Sequence, residues 1–236
     1  MNGPGGPSDD VGLLRGIATT RTIRRYTDEP ISDLELSRVL YAASRAPSGS
    51  NRQPFRFLVL RDGERAVAAK RLLGRAFREG WNTKNRSDGY ETGSGADPTS
   101  PKARQAATMQ RYVERFESVP VVVLVGLVRY REPSPYEGAS VYPACQNLLL
   151  AARAVGLGGA LTMWHLAVER ELRQLLEIPE EVALSACITL GRPEGSHGPV
   201  RRRPLVESVF DDRWGVAATW IDEPEESPHP RGPSTR

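Results

Sequence analysis

The 236-residue chain is short of the residues that build metal and thiol centres: it holds two cysteines and three histidines. No Cys, His or carboxylate spacing among them suggests a zinc site, so none is expected. Cys145 and Cys187 sit in the apolar stretches "YPACQNLLL" and "LSACITL". They read as buried free thiols rather than a disulfide or metal pair, which suits a reducing cytoplasm. Long hydrophobic runs are missing as well. The longest, such as "VPVVVLVGLV" at 119–128, fall far short of a membrane-crossing helix, and the first residues lack the apolar core of a secretory signal. An excess of one charge is also absent, since 32 Lys and Arg face 29 Asp and Glu for a net +3. That balance, with no basic face interleaved with aromatics, argues against a nucleic-acid-binding domain. Nucleophilic Ser/His/Asp or Cys/His constellations are missing, and no Gly-rich stretch has the G-x-G-x-x-G spacing of a dinucleotide site.

What the chain does have is clustered arginine. "TTRTIRRYTDEP" at 19–30 carries Arg21, Arg24 and Arg25, and "GRPEGSHGPVRRRPL" at 191–205 carries Arg201, Arg202 and Arg203. Two or three guanidinium forks match a single phosphate better than a polymer of them, and Thr22 can donate one further bond.

The ends, 1–9 and 222–236, are rich in Gly, Pro and charge and read as disordered tails around one domain at 10–221. Within it, Ser32 and Glu35 form a capping box ahead of Leu36, Val39, Leu40 and Ala43, which predicts a helix over 32–45. "FRFLVLR" at 55–61 reads as a strand and 64–78 as a basic helix. The unalternating "VPVVVLVGLVR" predicts a strand covered on both faces. A helix over 139–155, a short segment at 158–163, a helix at 167–177 and a strand at 182–191 follow. Strands separated by helices indicate an α/β or α+β layered domain. Residues 80–104 are polar and too long for an ordinary connection, so they read as a mobile lid or a disordered insertion.

Other local features point toward a ligand. "APSGSNRQP" offers an exposed Ser48, backbone N–H groups freed by Gly49, and the amides of Asn51 and Gln53, a set able to read the edge of a flat heterocycle. "GLGGALTMW" at 156–164 has three residues without side chains, which would let backbone approach something planar. His165 is a possible proton donor but reads first as packing. Tyr112 and Phe116, at i and i+4, read as pinning a helix to the core. Trp81 and Tyr90 could stack on an aromatic substrate.

Taken in order, "RTIRRYTDEPIS", "AASRAPSGSNRQPFRFLVL", "AARAVGLGGALTM" and "LGRPE…RRRPL" resemble the FMN-dependent nitroreductase family over roughly residues 13–210. The resemblance implies an α+β fold with a central, mostly antiparallel sheet flanked by helices, in an intertwined homodimer with FMN at the interface. It implies FMN contacts from Arg21, Thr22 and Arg24, and a phosphate grip from Arg201 and Arg203. Arg24 is the candidate at the N1–C2=O edge of the ring. Pro47, Ser48, Gly49 and Asn51 would come from the second subunit, and Leu161, Thr162 and Met163 would pass near the flavin N5. It further implies a cytoplasmic NADPH- or NADH-dependent oxidoreductase acting on nitroaromatics, quinones or related small-molecule acceptors. No membrane or nucleic-acid partner is expected. A flavin of this kind carries the hard chemistry itself, so no protein nucleophile is needed. Two departures stand out: Thr20 precedes Arg21 where many members have a basic pair, and Met163-Trp164 replaces the Glu-Gly of enteric-type enzymes. A reductive dehalogenase, for which Tyr90, Glu91 and Lys102 are candidate clamps, a benzimidazole synthase and a non-catalytic flavin binder remain alternatives.

Overall fold

A computed structural model describes residues 11–195, 197 and 200–223. The disordered tails expected at 1–9 and 222–236 lie outside these residues, apart from Asp222 and Glu223.

The longest apolar stretch forms the centre. β2 (Val121–Val128) is buried along nearly its whole length and is paired on both sides, with β1 (Phe55–Leu60) and β4 (Val182–Gly191), while β3 (Gly158–Thr162) adds to the far side of β4. All three pairings are antiparallel, in the order β1-β2-β4-β3. Because side chains alternate across a strand, Val121, Val123, Val125 and Leu127 enter one core while Val122 and Leu124 enter the other. β4 changes phase at a bulge opposite Val125 and Gly126. There Ser185 is the extra residue, so Leu184 and Ala186 go to opposite cores.

One face of the sheet is covered by α2 (Asp33–Ser44) and α5 (Tyr142–Ala154). The other is covered by α3 (Glu64–Ser87), α4 (Pro101–Glu114) and α6 (Glu169–Leu176). α2 starts at the expected cap: Ser32 Oγ accepts from the Glu35 N–H, and Glu35 Oε2 accepts from the Ser32 N–H at 2.9 Å. The α+β arrangement with a mostly antiparallel sheet agrees with the expectation.

The stretch 80–104 differs from its reading as one irregular connection. α3 does not stop near residue 78 but runs to Ser87, and α4 begins at Pro101. The cause is Trp81, only 1 % exposed, whose Nε1 donates to Gln110 Oε1 at 2.8 Å and whose ring meets Tyr90 at 5.2 Å. One buried indole thus carries a polar sequence on as helix, leaving residues 88–100 as the actual connection. A further helix, α1 (Leu13–Thr19), was not foreseen; it has no side-chain cap and no acidic first turn to announce it. Among the described residues, no helix is long and apolar enough to cross a membrane.

Candidate functional site

The segment 20–27 lies along the end of the sheet. Thr22 bridges Gly159 in parallel, the Ile23 N–H donates to the Gly159 carbonyl at 2.8 Å, and the Thr27 N–H donates to the Arg192 carbonyl at 3.0 Å. Two glycines of "GLGGALTMW", Gly158 and Gly159, are therefore explained by packing, and Gly156 by its φ of +77° at the turn after α5, with nothing within 4 Å of a Cβ there. A Cβ on Gly158 would fall 2.5 Å from Ile23 Cγ1, and one on Gly159 would fall 2.8 Å from the Thr189 carbonyl oxygen. Gly191 leaves room for Tyr26, whose ring atoms would lie 2.6 Å from a Cβ there. The Tyr26 hydroxyl donates to the Ile23 carbonyl at 2.6 Å and lies 2.9 Å from Thr189 Oγ1, which the Tyr112 hydroxyl also meets at 2.9 Å. Burial raises the pKa of both phenols, so they anchor the segment as neutral groups.

Held this way, the segment presents its arginines to the chain that leaves β4. Arg21, Thr22, Arg24, Arg25, Arg201 and Arg202 border one cavity of about 620 Å³, and among the described residues no carboxylate lines it. Arg21 and Thr22 also border an adjoining cavity of about 520 Å³ with Arg202, Arg203 and Glu223. Arginines about 180 positions apart in sequence thus share walls. Gln146, on α5, lines the second cavity and was not anticipated; a polar position on an apolar helix face was its only signal.

The remaining predicted residues lie elsewhere. Leu161 and Thr162 end β3, half-buried, and Met163 follows, exposed. Thr162 Oγ1 accepts from the Trp164 N–H at 3.3 Å. Pro47, Ser48, Gly49 and Asn51 occupy the turn after α2, and no described cavity joins them to the arginines. Two expectations about this turn are corrected. The Gly49 N–H is engaged, donating to Ser140 Oγ at 3.1 Å, and Ser48 is half-buried with its Oγ accepting from the Gln53 N–H at 2.8 Å. Ser50, Asn51 and Gln53 all have φ near +50°. Left-handed backbone at three side-chain-bearing residues is costly and tends to persist where a site needs the shape.

His165 is fully buried, and burial pushes its pKa down, which fits packing and not proton delivery. Tyr112 and Phe116 pack with Phe77 in the core. Both cysteines are free and buried; burial pushes the Cys145 thiol up to about 11 and raises that of Cys187. Of the lid candidates, Lys102 sits 5.6 Å above the Tyr90 ring, and Glu91 accepts from Asn85 Nδ2 at 2.7 Å.

Residues 17–192 match the family model described as the nitroreductase family. The chain belongs to this family. Among nitroreductase-family relatives, an Archaeoglobus fulgidus protein provisionally named NADH dehydrogenase/NAD(P)H nitroreductase is 31 % identical over 186 residues, covering 77 % of this chain and 85 % of its own. The iodotyrosine deiodinase of Thermotoga neapolitana is 29 % identical over 185 residues, covering 77 % and 89 %. A crystal structure of a nitroreductase-like protein from Desulfovibrio desulfuricans, in complex with FMN, aligns at a TM-score of 0.61 with 30 % identity, covering 87 % of this chain and 99 % of that one.

Proposed function

We propose that this nitroreductase-family protein is a cytoplasmic FMN-dependent oxidoreductase. In this reading it moves hydride from NADPH or NADH to nitroaromatics, quinones or similar electron-poor small molecules. The observation that carries the reading is the cavity shared by Arg21, Thr22, Arg24 and Arg201, which no carboxylate lines among the described residues. Its donor set fits a dianionic phosphate ester: planar guanidinium forks for the oxygens beside a threonine hydroxyl. FMN bound there would supply the redox chemistry at its N5, which accounts for a site with no protein nucleophile.

The chain's own residues would bind and orient. Arg21, Arg201 and Arg203 hold the phosphate, with Thr22 adding a hydrogen bond. Arg24 places positive charge at the pyrimidine edge of the ring, and the backbone of Leu161, Thr162 and Met163 borders its reactive side. Pro47, Ser48, Gly49 and Asn51, which share no described cavity with the arginines of the same chain, would reach the cofactor from the second copy of a homodimer. Buried, unpaired thiols accord with the cytoplasmic placement.

The purified protein should be yellow. Its flavin absorbance should bleach on adding NADPH or NADH and return with a nitroaromatic or quinone. A colourless protein that gains no flavin from added FMN overturns the reading. The kinship with the iodotyrosine deiodinase favours reductive dehalogenation as the second reading, and release of halide from halotyrosines by the reduced protein would select it.

A further inference from the structure

A third cavity, of about 440 Å³, is also bordered by Arg21 and lies between the end of α5 and the turn after β4. Its polar wall contains Thr19, Thr20, Arg21, Arg153 and His197. Its apolar wall is Ile23, Leu149, Leu157 and Pro193. Among the described residues no carboxylate lines it. Arg153 stands in the last turn of α5, half-buried, and its guanidinium makes no ion pair or hydrogen bond with the described residues. Nε2 of His197 is buried and has no hydrogen-bond partner among the described residues. Burial, with the nearby charges of Arg21 and Arg25, holds the His197 pKa down, as expected in a field of positive sign. A pocket of this chemistry calls for an anion. Its volume falls in the range of roughly 300–1,000 Å³ usual for small-molecule sites, more than a lone phosphate fills, and the apolar wall calls for a flat body attached to that phosphate.

We propose that this cavity is a subsite for a phosphorylated nucleoside, with Arg21 and Arg153 taking the phosphate and the Ile23, Leu149, Leu157 and Pro193 wall taking the base. His197 Nε2 supplies a further hydrogen bond, and Thr20 Oγ1, whose proton goes to the Gly16 carbonyl at 2.7 Å, accepts one from the sugar or the base. The proposal rests on the oxidoreductase reading for its choice of nucleotide, since that reading brings a nicotinamide donor to the protein as well as FMN. The adenosine phosphate end of that donor is the occupant, because the FMN phosphate is assigned to the cavities that Arg21 shares with Arg201, Arg202 and Arg203.

The test is calorimetric titration of the FMN-reconstituted protein with adenosine 2′,5′-bisphosphate, alongside FMN and riboflavin affinities of the apoprotein. Arg153→Leu should weaken adenosine bisphosphate binding at least tenfold with FMN affinity intact, and Arg153→Lys should recover most of the loss. Loss of FMN affinity, with riboflavin affinity and adenosine bisphosphate binding intact, overturns the proposal and makes Arg153 part of the flavin phosphate grip. His197→Phe, a second wall substitution, should weaken the same ligand. If Arg153→Leu leaves every titration at its wild-type value, the subsite does not exist. A protein that takes up no FMN but binds adenosine bisphosphate through Arg153 would sink the oxidoreductase reading and leave the subsite standing.

Discussion

A methyl group at Gly159 would sit 2.8 Å from both the Thr189 carbonyl oxygen and Leu149 Cδ2, and 2.9 Å from Leu190 Cδ2. The first neighbour is backbone of β4 and cannot swing away, so the strain must be taken by β3 or by the segment resting on it. That segment is held at this point by the bond from the Ile23 N–H to the Gly159 carbonyl, two residues beyond Arg21. Gly159→Ala should therefore cost about 1–3 kcal/mol of stability, the usual penalty of overpacking, read as a lowered urea midpoint. FMN retention should fall with it, because Arg21 would lose its placement. If retention is unchanged in a variant destabilised by that amount, the β3 contact does not position Arg21.

At the scale of elements, α2 is tied to the sheet by charge. Arg192, the first residue after β4, pairs with Glu29 at 2.5 Å and with Glu35 at 2.8 Å, while Glu35 also closes the capping box with Ser32. Hydrogen bonds from Ser32, and then Arg192, hold the Glu35 pKa down from 4.5 to about 2. A carboxyl depressed in the fold contributes stability that is present above its unfolded value and lost as pH falls toward the folded one. Ser32→Ala should cost about 1 kcal/mol at neutral pH, as a lost N-cap does. The gap to wild type should narrow as pH falls from 4.5 toward 2, measured by urea titration at each pH. A gap that stays constant through that window would mean that the carboxylate plays no part in the cap. The same element shows what the sequence makes legible. Capping boxes and apolar runs are local, so α2, β1, β2 and β4 could be placed within a few residues, whereas β3 was legible only as a short segment. The extension of α3 depends on Trp81 meeting Gln110 from α4, a contact no local pattern records. The site divides likewise: the arginine clusters are visible as clusters, whereas Arg153 and His197 join Arg21 only because β3 and β4 pair and bring residues 156–159 beside Pro193, Gly195 and His197.

For the whole molecule, two features of the single chain lead to one expectation. The turn bearing Pro47, Ser48, Gly49 and Asn51 keeps a strained backbone yet shares no described cavity with the arginines. Beyond Arg203, the chain carries Val206, Trp214 and Trp220 at 56 %, 87 % and 67 % exposure, an apolar load unusual for a surface segment. A homodimer in which this segment packs on a second copy would bury those side chains and set each Pro47–Asn51 turn against the other chain's arginines. The full chain should then sediment at twice its chain mass. A version ending at Arg203 should sediment at the single-chain mass and hold FMN at least tenfold more weakly, with circular dichroism confirming that its helices persist. A full-length protein that stays single at micromolar concentration while holding one FMN per chain would show that every contact the cofactor needs comes from one copy.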